Sequence, residues 1–202
     1  MTLAVAIHLY ADVEVLDFAG PYEVFTTANR VFGRLHPQDE LPFAVFTVAS
    51  ERVPVLARAG LVVLPDHAMA EHPYIDVLIV PGGVVDAELE QPEVIAWLAR
   101  QSEGAVITAS VCTGAFLLAR AGLLTGKVVT THWEDVADLR AMCPGLDVRT
   151  GVRWVDQGEI VSSAGISAGI DMSLHLVARL AGRDLAERTA RQMDFDWTEN
   201  RG

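Results

Sequence analysis

Ala105-Val106-Ile107-Thr108-Ala109-Ser110-Val111-Cys112-Thr113-Gly114-Ala115-Phe116-Leu117-Leu118-Ala119 decides the fold class. Ala105–Ala109 is a short apolar run with β-branched members, the composition of a strand buried on both faces. Thr113–Ala121 is made of small and apolar residues and predicts a helix. The two meet at Ser110-Val111-Cys112-Thr113-Gly114, whose small side chains permit a tight turn. A strand running straight into a helix is the unit from which parallel, helix-covered sheets are assembled.

Outward from this joint the alternation repeats. Residues 3–10 predict a first strand, and residues 14–31 carry Val15, Phe18, Ala19, Tyr22 and Phe25 at helical spacing. Phe43–Ala49 and Ile75–Val80 read as core strands, the second ending at Pro81-Gly82-Gly83, with Val53–Ala57 and Leu61–Leu64 between them as a hairpin about Arg58-Ala59-Gly60. Pro92–Ser102 predicts a helix with proline in its first turn. Lys127–Thr131 then predicts a strand, and Trp133–Met142 a helix stopped by Pro144-Gly145. Val148–Val155 and Glu159–Ser162 predict a second hairpin, and 165–182 a last helix. Such alternation implies an α/β protein with a mainly parallel sheet covered on both faces, in which ligands sit outside the carboxyl ends of the strands. No repeat, low-complexity tract or long linker divides the chain, so residues 1–202 read as a single domain. The tail Met193–Gly202 either docks on the surface or frays.

The totals narrow the function classes. A net charge of −12 repels the phosphates of nucleic acid and the anionic surface of a membrane, so neither is an expected partner. The two cysteines, Cys112 and Cys143, are too few for a disulfide framework and form no C-x-x-C pair, which points to a reducing compartment, the cytoplasm. The start of the chain reads as a strand rather than a signal peptide, and no apolar stretch reaches the roughly eighteen residues of a membrane span. His8, His36, His67, His72 and His175 have no metal-like spacing, and no metal site is expected.

Four places carry the candidate chemistry. Cys112, at a strand-to-helix turn, lies beside helix N-terminal amides whose partial positive charge favours thiolate, whereas in isolation it reads as a small buried hydrophobe. Gly82 and Gly83 close a core strand and bring backbone N–H groups within reach of a ligand or of developing negative charge. Asp17, in the apolar setting Leu16-Asp17-Phe18-Ala19, must have a partner or a proton; a plain N-terminal helix acid is the other reading, and Glu23 competes for its role. His132 follows a strand and can face the same crevice as Cys112, completing a set of nucleophile, base and acid, although a histidine preceding a helix is more often a cap or a packed surface group. Cys143, beside Pro144, reads as structural.

Taken in order, Leu16-Asp17-Phe18-Ala19-Gly20-Pro21, Pro81-Gly82-Gly83, Ser110-Val111-Cys112-Thr113-Gly114, Gly122-Leu123-Leu124-Thr125-Gly126, Thr130-Thr131-His132-Trp133 and Gly165-Ile166-Ser167-Ala168-Gly169-Ile170-Asp171 resemble the ThiJ/PfpI superfamily over residues 3 to 182. Thr113 after the cysteine and the run Thr131-His132-Trp133 are most similar to isocyanide (isonitrile) hydratases and to the amidotransferase-like domain of AraC-type regulators. The resemblance implies a flavodoxin-like three-layer sandwich of the class I glutamine amidotransferase type, with a nucleophile elbow at Cys112, and commonly a homodimer. It implies Cys112 as nucleophile, Asp17 as the acid that hydrogen-bonds it, Thr113 as the neighbouring hydroxyl, and the Gly83 and Thr113 amides as anion stabilisers. Members acting as proteases or glyoxalases carry histidine after the cysteine, where this chain has Thr113. Regulators of the AraC type continue into a helix-turn-helix region, which these 202 residues do not include. The expectation is therefore a cofactor-free hydratase acting on a small molecule in a small apolar pocket. A redox-sensing or ligand-binding module built on Cys112 is the alternative.

Overall fold

The structure is a computed structural model, and it describes residues 1–199. In chain order the elements are β1 (Leu3–His8), α1 (Val15–Leu35), β2 (Phe43–Ala49), β3 (Val55–Leu56), β4 (Val62–Val63), β5 (His67–Ala68), β6 (Val77–Val80), α2 (Asp86–Leu89), α3 (Pro92–Gly104), β7 (Ile107–Val111), α4 (Gly114–Arg120), β8 (Val128–Val129), α5 (Val136–Met142), β9 (Asp147–Val148), β10 (Trp154–Asp156), β11 (Ile160–Ser163), α6 (Ala168–Ala181) and α7 (Arg183–Gln192). The central sheet has the order β10-β11-β7-β6-β1-β2-β5. Every pairing in it is parallel except β10 with β11.

The central strands β6 and β7 are buried at every position, as strands covered on both faces must be. On one side α1, α6 and α7 pack together, and on the other α4 contacts both α2 and α3. This is the α/β, flavodoxin-like sandwich with its mainly parallel sheet. Its apolar core runs from Val5 and Ile7 in β1 through Leu78 and Ile79 in β6 to Leu117 in α4 and Leu174 in α6. No helix among the described residues is long and apolar enough to cross a membrane.

Several boundaries differ from the sequence reading. Val128–Val129 does not join the central sheet; it pairs in parallel with Asp147–Val148, which the sequence had merged into the second hairpin. Gly151, at φ 72°, separates that short strand from β10. The helix predicted over Trp133–Met142 begins with a tight 3₁₀ turn, Trp133–Asp135, before α5. α7 was not foreseen: it follows Gly182 at once and buries only Leu185, Ala186, Thr189 and Ala190, a face too thin to stand out from its charged neighbours. The tail docks as far as it is described: Trp197 Nε1 donates to Asp171 O at 3.1 Å and Thr198 N to Asp171 Oδ1 at 2.7 Å. Residues 200–202 lie outside the described residues.

Candidate active site

Cys112 is the first residue beyond β7 and is held at φ 56°, a left-handed conformation that costs an L-residue roughly 1–2 kcal/mol. Three contacts enforce it. Cys112 N–H is shared between Ser163 O at 3.2 Å and Ala164 O at 3.3 Å, and Thr131 Oγ1 donates to Cys112 O at 2.8 Å. The strained turn lifts the side chain off the sheet and into a cavity of about 690 Å³ at the carboxyl ends of the strands. Gly83, Thr113, Phe116, His132 and Ile166 line it with Cys112.

Asp17 lies in the first turn of α1 and is wholly buried. Gly82 N–H donates to its Oδ2 at 3.0 Å, while Oδ1 takes no hydrogen bond from any N–H or O–H group. Gly82 is held to this contact by close packing, since a Cβ there would sit 2.6 Å from the Thr113 nitrogen. Burial pushes the Asp17 carboxyl up to about 7; the Gly82 hydrogen bond opposes this, and so, more weakly, does the Cys112 side chain beside it. Burial likewise pushes the Cys112 thiol up to about 12, with the Asp17 charge adding to the rise. The Thr113 and Ile166 amides pull in the other direction and are outweighed. The expectation that helix amides and Asp17 bias Cys112 toward thiolate is opposed here by desolvation, the larger effect, and by the Asp17 charge itself.

The two glycines are also occupied in a way the sequence did not reveal. Gly83 N–H donates to Thr113 Oγ1 at 2.9 Å, and Thr113 Oγ1 donates to Gly83 O at 2.9 Å. The Gly82 and Gly83 amides are thus engaged by Asp17 and Thr113, and those facing the Cys112 sulfur belong to Thr113 and Ile166. Ile166, at φ 39°, was not singled out from sequence; its left-handed backbone turns the amide toward the thiol, and only the neighbouring Gly165 hinted at a special turn. Tyr10 was missed as well: its hydroxyl donates to Pro81 O at 3.0 Å and fixes the glycine loop from below.

His132 does line the cavity, and its Nδ1 donates to Asp135 Oδ2 at 3.0 Å. Glu23 does not reach it; its half-exposed carboxylate instead accepts from Arg30 at 2.8 Å. Cys143 is half-buried beyond α5 and lines a separate hollow with Leu124 and Leu146. The cavity is not the small apolar pocket expected. Val85, Leu89, Phe116 and Ile166 make part of its wall, but Glu14, Asp86, Glu134, Asp135 and Asp138 stand around it, with Arg58 paired to Glu14 at 3.2 Å.

The chain is 33% identical over 196 residues to the isonitrile hydratase of Pseudomonas putida, covering 96% of this chain and 79% of the hydratase. It is 31% identical over 186 residues to the HTH-type transcriptional regulator GbdR of Pseudomonas aeruginosa, covering 92% of this chain but about half (49%) of that regulator. Among solved structures, a ThiJ/PfpI family protein from Pseudomonas syringae superposes with a TM-score of 0.84 at 28% identity, covering 97% of this chain and 76% of that one. Drosophila melanogaster DJ-1beta gives 0.81 at 20% identity over 98% of this chain and all (100%) of its own, a likeness of fold. The DJ-1/PfpI family pattern itself matches residues 4–179, from the first strand to the last turns of α6, so the chain belongs to the DJ-1/PfpI family.

Proposed function

We propose that this protein is a cofactor-free hydratase that converts an isocyanide and water into an N-substituted formamide, working as a cytoplasmic homodimer. The observation that carries the reading is Cys112 in a cavity large enough for a small molecule, with the buried Asp17 carboxyl beside its thiol. The similarity to the Pseudomonas putida isonitrile hydratase supports it.

The terminal carbon of an isocyanide accepts a nucleophile. In the first half-reaction the Cys112 sulfur bonds to that carbon, the thiol proton passes to the Asp17 carboxylate, and Asp17 returns it to the same carbon, giving a thioimidate. In the second, a water oxygen adds to the thioimidate carbon, one water proton going to the substrate nitrogen and the other to Asp17. The carbon–sulfur bond then breaks, sulfur regains the proton from Asp17, and the formamide leaves. Every proton taken is returned, so no cofactor enters. The Thr113 and Ile166 amides facing the sulfur stabilise charge on it while it is bonding and while it leaves. Thr113 also clamps Gly83, and His132 forms part of the wall.

The test is formamide release from a simple alkyl isocyanide, followed by mass spectrometry, with the parent and with Cys112→Ala. Turnover by the parent and none by the folded variant is expected. Equal turnover by both would end the covalent reading.

A further inference from the structure

We propose that the Cys112 cavity selects positively charged substrates, isocyanides whose substituent carries an ammonium group, over neutral and anionic ones. The isocyanide half of this statement rests on the hydratase reading; the charge half rests on the cavity alone.

Five carboxylates line the cavity, Glu14, Asp86, Glu134, Asp135 and Asp138, against one guanidinium, Arg58. Arg58 is spent on Glu14, and His132 on Asp135, with Glu134 at 3.9 Å from the same ring nitrogen. Among the described residues neither Asp86 nor Asp138 forms an ion pair. The acidity is local, not a reflection of composition. A separate hollow of about 410 Å³ is lined by Arg34, Arg188 and Arg191 and, among the described residues, by no carboxylate, although Asp184 pairs with Arg188 at 2.7 Å.

The arrangement fits an organic cation better than a metal ion. Among the described residues no three ligating side chains gather as a metal would require. The carboxylates are instead spread around the mouth as a diffuse field, the kind a bulky ammonium group uses. The apolar wall of Val85, Phe116 and Ile166 leads inward to the sulfur. A molecule with a small apolar reacting end and a cationic tail would fit in one direction only, with its carbon at Cys112 and its charge at the rim. An anionic tail would meet repulsion there.

Two measurements test this independently. The first compares kcat/KM for 2-(trimethylammonio)ethyl isocyanide, its neutral isostere 3,3-dimethylbutyl isocyanide, and isocyanoacetate, at low and high salt. About a tenfold preference for the cation over the isostere is expected at low salt, shrinking as salt is added, with isocyanoacetate poorest. The double variant Asp86→Asn with Asp138→Asn should lose most of that preference, kcat/KM falling more for the cation than for its neutral isostere. Parity between cation and isostere, or a preference that survives in the double variant, overturns the inference. The second needs no turnover: in a Cys143→Ser background, Cys112 is labelled with cationic trimethylammonioethyl or anionic sulfonatoethyl methanethiosulfonate. The ratio of the two rates should exceed that of a small neutral thiol about tenfold or more. A ratio equal to that of the small thiol overturns the inference even if isocyanides are hydrated. If the labelling preference holds while no isocyanide is turned over, the hydratase reading falls and the cationic-ligand site stands.

Discussion

Asp17 takes one amide hydrogen bond, on Oδ2, and burial holds its carboxyl at about 7 against an ordinary 3.8. Between those values the folded chain keeps a proton that the unfolded chain has lost. Its contribution to stability is therefore full below about pH 4 and is lost as the pH rises through about 7, by about 4 kcal/mol in all. Asp17→Asn keeps an acceptor for Gly82, places an amide NH₂ where Oδ1 stood, and does not titrate. The variant should melt close to the parent at pH 4 and clearly above it at pH 8, by differential scanning fluorimetry; a variant less stable than the parent at pH 8 would contradict the buried-acid assignment. Activity should move the other way, with hydration falling about a hundredfold or more as the proton acceptor is lost. The thiol obeys the same logic. With its thiol raised to about 12, Cys112 reacts by handing its proton to Asp17 as general base, so its alkylation by iodoacetamide should rise with a midpoint near pH 7, and Asp17→Asn should abolish that midpoint. A parent rate that is flat from pH 5 to 9, read by peptide mass spectrometry, would sink the shared-proton picture. Both residues were legible in the sequence, as a cysteine at a turn and an acid among apolar neighbours. The sign of the thiol's shift was not, because it depends on how deeply the side chain is buried.

At the scale of elements, the loops after β1 and β6 are knitted into one platform. Glu14 N–H donates to Gly82 O at 2.9 Å and Val84 N–H to Asp12 O at 3.1 Å, which brings the start of α1 against the glycine turn. A second tie lies beneath the cavity wall, where Glu88 of α2 meets the wholly buried His8 of β1, Oε1 to Nε2, at 2.8 Å. Val85, Asp86 and Leu89, in and beside α2, face the cavity, so this pair anchors a wall of the site. Glu88→Ala leaves a buried imidazole nitrogen without its partner and should cost about 1–3 kcal/mol. Hydrogen exchange should quicken in residues 84–90 more than in β7; a uniform change along the chain would mean that the pair stabilises the fold without holding the wall. The central strands were readable from their apolar runs because burial on both faces leaves no room for polar residues. The two-residue strand β5 and the four-residue α2 were not, since so short a segment carries no period.

At the scale of the molecule, the net charge of −12 was plain in the sequence, but its distribution was not. The acids around Cys112 come from positions 14, 86 and 134 to 138, and only the folded sheet brings these loops to one mouth. An apolar surface was hidden for the same reason. Leu16, Tyr22 and Leu64 are all exposed at a hollow of about 570 Å³ whose wall also includes Phe18, Ile170 and Met193. Contiguous apolar surface of this kind marks an interaction site, and a two-fold axis lets one such face cover its own copy. We propose this face as the seam of the homodimer; Leu16 is the neighbour of Asp17, so this face and the proposed reaction centre share the first turn of α1. Sedimentation should give a species of twice the 21.8 kDa of one chain. Leu64→Asp, which sets like charges against each other across a two-fold, should yield a folded monomer with an unchanged circular dichroism spectrum. Leu41→Asp, an equally conspicuous exposed leucine that does not line this hollow, should leave the dimer intact. A parent that sediments as a monomer at micromolar concentration removes self-association from this face, and dissociation by Leu41→Asp but not by Leu64→Asp would move the seam elsewhere.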